Sequence, residues 1–306
     1  MKSFIDIHSK TIRFKNRISD KFDISVYYYK KADMHLQSVQ PCPQLRGYIS
    51  KMWVFESNGR MPGEDMKLIV PNGMVKMTIP YRNGVSGRNK DGFRLVKESS
   101  IIIIGICDTP AVIDLEHDAP HGNIGIEFSP LGAYRFFNAR QAELKNKIFL
   151  IEEILGKSAK AIQEVIANTV SISGKICLVQ QYLINLLSNS EADPVLDYCL
   201  NEIECSKGLM TVAELERKTG YSSRWLYEKF MEKVGLSPKN LSSVVRFMQF
   251  YRRWARQPGS DFFKEDIYDY FYDQSHFIKD FKRFTGVSPM KYMRSENEFG
   301  RLFWKE

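Results

Sequence analysis

Few residues in this chain are spaced for covalent chemistry. The five cysteines, Cys42, Cys107, Cys177, Cys199 and Cys205, are scattered and form no C-x-x-C pair. An odd number of widely spaced thiols reads as reduced, mostly buried cysteine rather than a disulfide framework or a zinc site. His117 and His121 are four apart, but Pro120 intervenes in a loop-like stretch, so no metal and no cofactor is expected. G-x-S-x-G and H-x-E, which would mark an activated nucleophile or a metal-binding barrel, are absent. Charge is the more telling feature. The formal net charge is +8, and ten basic residues lie between Arg217 and Arg256 against the two acids Glu228 and Glu232. That concentration is the electrostatic footprint of a surface for a polyanion, although a solvated helical face produces the same count.

The elements that would position these charges follow from composition and period. With 306 residues, 43% of them hydrophobic and 26% charged, the chain has the make-up of a soluble globular protein of about two domains. The apolar run at Ile101–Ile104 is far too short to cross a bilayer, and Asp6 interrupts any secretion-type apolar start. A cytoplasmic location without membrane contact is expected. Residues 35–140 alternate short apolar runs (48–55, 67–70, 74–80, 99–107, 111–115 and 123–128) with turn chemistry such as Pro71-Asn72-Gly73 and Lys90-Asp91-Gly92. That pattern predicts a small β-sandwich or barrel. Residues 1–34 are basic and aromatic, an edge strand or an arm. From about residue 141 to 205 the period becomes helical: Ile176, Val179, Leu183, Leu186 and Leu187 share one face, and Asp193-Pro194 starts a further helix. This connector is expected to break near Gly156 and Gly174. The fold class is therefore α+β, with an all-α region at 206–296.

That last region contains an internal echo. Phe230, Gly235, Ser237 and Pro238 recur at one offset as Phe281, Gly286, Ser288 and Pro289. Each has a reason: the Phe closes a buried stripe, the Gly gives a left-handed cap, and Ser-Pro restarts a helix. Upstream, Thr211-Val-Ala-Glu214 is a capping box, Gly220 a turn and Ser222 a second cap, which together make a helix-turn-helix unit. Its second helix turns Leu226 and Phe230 inward and presents Ser223, Arg224, Tyr227 and Glu228 outward, available to base edges. A helix free of Pro and Gly from Lys239 to Arg256 joins the two units.

Residues 206–296 resemble the paired helix-turn-helix domain of the AraC/XylS family of bacterial transcription regulators. Gly220-Tyr-Ser-Ser-Arg-Trp-Leu226, Gly235-Leu-Ser-Pro-Lys239, Arg246-Phe247 and the run Tyr272–Pro289 carry the likeness. Pro43-x-Leu45, Tyr48-Ile49, Trp53-Val54, Val70-Pro-Asn-Gly73 and Gly125-Ile-Glu-Phe128-x-Pro130 are similar, more loosely, to the cupin-like domain that precedes it in part of that family. The resemblance implies a sequence-specific regulator with two recognition helices in adjacent major grooves of double-stranded DNA. It assigns base reading to Arg224, Tyr227 and Glu228 in the first unit, and to Gln274, Ser275, His276 and Lys279 in the second. Lys229, Arg246, Lys282 and Arg283 are the candidates for phosphate. Trp53, Glu56, Tyr81 and Glu127 are candidates to line an effector pocket in the β-rich part. A small-molecule effector, a second copy of the chain and, for an activator, RNA polymerase are the other implied partners. One departure is that the family places a glycine near Tyr270, whereas Asp269-Tyr-Phe-Tyr272 fills that turn here. An aromatic residue at positive φ would strain it by about 1–2 kcal/mol. Two rivals stay open: a cupin-like enzyme with a helical oligomerisation tail, and a DNA-binding protein without an effector. Lys282→Ala is expected to weaken binding to all DNA sequences alike and to lower the slope of log affinity against log salt by about one. An unchanged slope in a salt titration would remove Lys282 from the interface.

Overall fold

Alternation along three neighbouring strands builds the β-rich half. On β3 (Ile49–Ser57) and β5 (Lys76–Arg82), Met52, Val54, Met77 and Ile79 point one way, as do Ile124 and Ile126 on β10 (His121–Phe128). Lys51, Trp53, Lys76, Asn123 and Glu127 point the other way. In the computed structural model, which describes residues 24–29, 34–59, 67–114, 119–256, 267–295 and 297–304, these strands centre an antiparallel sheet of seven. Its order is β1 (Ile24–Tyr29), β2 (Met34–Val39), β3, β10, β5, β8 (Ile102–Ile104), β11 (Ile148–Leu150). A second sheet of four, in the order β4 (Leu68–Ile69), β9 (Ala111–Asp114), β6 (Val85–Asn89), β7 (Gly92–Val96), faces it.

The helical half follows. It comprises α1 (Ala133–Phe136), α2 (Gln141–Leu144), α3 (Ile151–Leu155), α4 (Lys157–Asn168), α5 (Ile172–Ser188), α6 (Pro194–Cys205), α7 (Val212–Thr219) and α8 (Ser223–Lys233). Then come α9 (Pro238–Arg256), α10 (Gln274–Thr285), α11 (Pro289–Arg294) and α12 (Glu298–Leu302). Ile176, Val179 and Leu183 of α5 share one core with the Met52–Ile126 face of the larger sheet. The opposite face, through Trp53, Phe55, Met34 and Leu36, forms a smaller core with Phe299 and Leu302 of α12.

The α+β class, strands β3, β4, β5, β8, β9 and β10 and the long helix α9 match the sequence reading, whereas β6 and β7 fall where the residue pattern marks only turns. Three local expectations need correction. Residues 148–150 are the seventh strand of the sheet, paired with β8, rather than part of a helical connector. Gly174 lies in the first turn of α5, where its N–H meets Ser171 Oγ at 3.1 Å, so the break falls before it, whereas Gly156 (φ 69°) does separate α3 from α4. The turn at Tyr270 carries no positive φ. It closes by N–H donation from Tyr270 and Phe271 to the Ile267 carbonyl at 3.1 and 2.8 Å, and Phe271 is buried against Phe277. The aromatic there is a core residue in ordinary backbone geometry, and the expected strain is absent. Residues 257–266, between α9 and this turn, and His117 lie outside the described residues.

Gly125 shows how tightly the sheet faces are built. A Cβ at this position would come within 2.1 Å of the Trp53 ring, which lies flat over the strand. Gly125→Ala must displace that indole, so it is expected to destabilise the fold by about 1–3 kcal/mol. Chemical denaturation checks this, and an unchanged midpoint would mean that the indole is free to move.

Candidate nucleic-acid interface and an apolar cavity

Both candidate reading helices are set by caps written in the sequence. Ahead of α7, Thr211 Oγ1 accepts from Glu214 N–H at 3.2 Å while the Glu214 carboxylate accepts from Thr211 N–H at 2.8 Å. Gly220, at φ 75°, ends that helix in the left-handed region where glycine carries no Cβ penalty. Ser222 Oγ then caps α8 by accepting from Trp225 N–H at 3.3 Å, and the Glu216 carboxylate accepts from Ser223 N–H. Leu226 and Phe230 are buried, leaving Ser223, Arg224, Tyr227 and Glu228 exposed. Tyr221 stacks on Trp225 at 4.0 Å and braces the helix start. In α10 the Asp273 carboxylate accepts from His276 N–H at 2.7 Å, and Phe277, Phe281 and Phe284 are fully buried. Gln274, Ser275, Lys279 and Lys282 are exposed.

The structure gives several of the remaining candidates other partners. Lys229 pairs with Asp193, the N-cap of α6, at 2.9 Å. Arg246, whose side chain is 14% exposed, pairs with Asp280 at 3.3 Å and lies over the Phe271 ring. Arg283 reaches Asp108 of the β-rich half at 3.1 Å. Of the four phosphate candidates, Lys282 is the exposed one. His276 sits edge-on to Phe271 at 5.6 Å with Nε2 3.5 Å from Asp280, so it faces the turn more than solvent. Glu228 is exposed but pairs with Arg140 at 3.8 Å, a surface contact worth about 0–1 kcal/mol. The pairings carry no sequence signal: Asp108 is 175 residues from Arg283.

Asp108 is the strongest of these ties. Burial by itself would raise its pKa, but hydrogen bonds from Lys145 (2.8 Å), Asn146 (2.9 Å) and Arg283 outweigh it and hold the carboxyl below its ordinary value.

Between the two sheets lies a cavity of about 130 Å³ with largely apolar walls, among them Trp53, Val85, Ile102, Ile113, Ile148 and Phe303. Of the four pocket candidates, Trp53 and Glu127 line it. Glu56 and Tyr81 do not, because strand alternation turns them to the opposite face of the sheet. There Tyr81 lies against Gly122, and burial together with the charge of Glu56 raises its phenol pKa. The Glu127 carboxylate is held by Asn72 Nδ2 at 2.6 Å, with Lys76 Nζ at 3.7 Å. Among the described residues, no group of His, Cys, Asp and Glu could hold a metal ion, and no helix is long and apolar enough to cross a membrane.

Comparison with known proteins adds a domain match and distant structural likenesses. A domain of unknown function, DUF6597, matches residues 37–149, which run from within β2 into β11. No curated protein matches the sequence. A crystal structure of wild-type ToxT from Vibrio cholerae with an unsaturated fatty acid bound is 15% identical, with 94% of this chain and 99% of that chain covered and a TM-score of 0.42. A 1.65 Å structure of ToxT is 16% identical over 90% of this chain and 98% of that one, with a TM-score of 0.41. A predicted oxalate decarboxylase from Thermotoga maritima is similar to a part of the chain: 6% identity, 31% of this chain, 79% of that chain and a TM-score of 0.26.

The Asp108 cluster makes a pH prediction. A carboxyl whose folded pKa lies below its unfolded value of about 3.9 contributes stability above that value and loses it as pH falls through the folded one. Asp108→Asn is therefore expected to melt below wild type at pH 7, with the gap closing below about pH 4. A gap independent of pH would show that packing, not charge, is what Asp108 supplies.

Proposed function

We propose that the chain is a sequence-specific, double-stranded-DNA-binding transcriptional regulator of the AraC/XylS type, acting in the cytoplasm. Residues 206–296 form the DNA-binding domain, and 35–140 the core of a domain that takes a small effector. One observation carries this reading: outward residues fill the N-terminal halves of α8 and α10, while the apolar stripes of both helices are buried. Recognition helices enter the major groove with their N-terminal residues on base edges, and Ser223, Arg224, Tyr227, Gln274, Ser275 and Lys279 are the exposed residues so placed. Helix α9 joins the two units. Its 19 residues span roughly 28 Å at 1.5 Å per residue, close to the roughly 34 Å between successive major grooves on one side of DNA.

Within this reading Arg224 pairs with guanine, Gln274 with adenine and Glu228 with cytosine, and Lys282 supplies phosphate contact. Lys229, Arg246 and Arg283 act by fixing the helices. The effector is a small apolar molecule, since an apolar cavity of about 150 Å³ is enough to bind benzene.

Selection of DNA from a random pool by the purified protein, at two salt concentrations, tests the proposal. The expected product is a site with two half-elements about one helical turn apart. Arg224→Ala is expected to relax preference at one base pair, at a cost of about 1–3 kcal/mol. A uniform loss across sequences would make Arg224 a phosphate contact, and no enrichment at all would overturn DNA reading by the chain as purified.

A further inference from the structure

One wall of the cavity between the two sheets is not part of either sheet. Phe299 and Phe303, together with Trp304, come from the last turn of the chain, beyond the second reading helix, yet they line the cavity alongside Trp53, Val85 and Ile113. Phe303 meets the Trp53 ring at 5.7 Å and the Phe55 ring at 6.3 Å, and Phe299 meets Phe55 at 5.6 Å. Phe299 and Leu302 are buried in the small core of Met34, Leu36, Trp53 and Phe55, separate from the main one.

Two polar devices hold the tail in register. Asn297 is fully buried and makes a two-way amide clamp on β4. Its Oδ1 accepts from Leu68 N–H at 3.0 Å, and its Nδ2 donates to the Leu68 carbonyl at 2.9 Å. Deeper in, Lys51 Nζ donates to the Phe303 carbonyl at 2.8 Å. Lys51, Glu127 and Lys76 occupy one row across β3, β10 and β5, two cations to one carboxylate. Lys76 is turned to Asn72 and Glu127, and the tail carbonyl serves Lys51. The main chain of the tail thus stands where a ligand's acceptor group would stand, and its aromatic rings stand where a ligand's apolar body would stand. Asn297 also connects upstream: its Nδ2 donates to the Tyr292 hydroxyl at 2.7 Å, which lies 2.7 Å from the Tyr251 hydroxyl in the middle of α9.

We propose that residues 297–304 are a built-in occupant of the cavity mouth. The effector would be an apolar molecule with one hydrogen-bond-accepting head group, and it displaces this tail, taking over Lys51 from the Phe303 carbonyl. This inference rests on the reading of the cavity as a ligand site. It follows from placement: with the tail seated, about 130 Å³ remain, close to the roughly 150 Å³ that holds benzene, and a longer ligand that follows the apolar lining meets Phe303 and Trp304. The tail then links cavity occupancy to α9 through Asn297, Tyr292 and Tyr251.

Calorimetric titration with two probes, phenol and 1-anilinonaphthalene-8-sulfonate, tests it on the full chain, on a chain ending at Ser295, and on the full-length variants Asn297→Ala and Phe303→Ala. A mouth open for about a tenth of the time or less weakens large ligands at least about tenfold. The naphthalene probe is therefore expected to bind the shortened chain at least about tenfold more tightly than the full chain, with both point variants between, whereas phenol gains nothing from any change. Ile113→Trp, which fills the cavity, is expected to abolish the gain. A cooperative melt for each protein shows that it is folded, and the two point variants carry the test if the shortened chain is not. Equal affinity of the naphthalene probe for all forms, or a gain that survives Ile113→Trp, overturns the tail as competitor and leaves the cavity reading standing. Absence of saturable binding of both probes to every form overturns the cavity reading and the competition with it.

Discussion

Helix α9 has no free side over most of its length. Eleven of its 19 residues are buried. Leu241 and Val244 pack against the β-rich half at Gly73, where a Cβ would fall 3.1 Å from Leu241. Further along, Phe247 meets Phe281 and Phe284, Phe250 meets Phe277, and Trp254 meets Tyr292. One helix therefore has to satisfy the sheet domain at its start and helix α10 at its end. The positions of both helix-turn-helix units follow from how it is gripped, because a packed aromatic interior does not deform continuously.

Around α9, charge is sorted by direction. Basic residues that point toward the body of the protein are matched to acids from other elements: Lys229 to Asp193, Arg246 to Asp280, Arg283 to Asp108. Those that point away, such as Arg224, Lys279 and Lys282, are exposed. Exposed positive charge thus lies along the outward faces of α8 and α10, from Arg224 in the first turn of α8 to Lys282 in the last turn of α10. That combination suits phosphate and base edges, since long-range attraction sets affinity and the polar side chains set sequence preference. Inward ties serve a different purpose. They hold the C-terminal ends of α8 and α10 against the rest of the chain, so the angle at which the two helices are offered is fixed by ionic contacts as well as by packing.

The β-rich half places its polar residues in an equally directional way. Strand alternation sends Met52, Val54 and Ile126 to the helices and Trp53, Lys51 and Glu127 to the space between the sheets. That space stays open because Gly125 and Gly87 remove bulk from its walls, with Trp53 lying over the first and Ile148 3.0 Å from a Cβ at the second. One of its walls is a segment from beyond α11, and Phe299 and Leu302 of that segment share a small core with Trp53 and Phe55.

Much of this was legible in the linear sequence wherever the interaction is local. The capping box at Thr211 and Glu214, the left-handed glycines at 220, 235 and 286, the Asp193-Pro194 start and the uninterrupted run of α9 depend on neighbours within a turn or two, and each takes the form that its residues dictate. Period-two and period-3.6 patterns likewise fixed most strands and the buried stripes, although β6 and β7, with polar residues and Gly87 in place of alternating apolar ones, gave only a turn signal. The tertiary structure alone decided which charges are spent internally, on which sheet face Glu56 and Tyr81 fall, that Tyr270 occupies an unstrained turn, that residues 148–150 complete a sheet, and that Phe303 meets Trp53, 250 residues away, in a cavity wall. Caps and periodicity are written in short-range geometry. Ion pairing and burial depend on what the fold brings within a few ångströms, and no spacing along the chain encodes that.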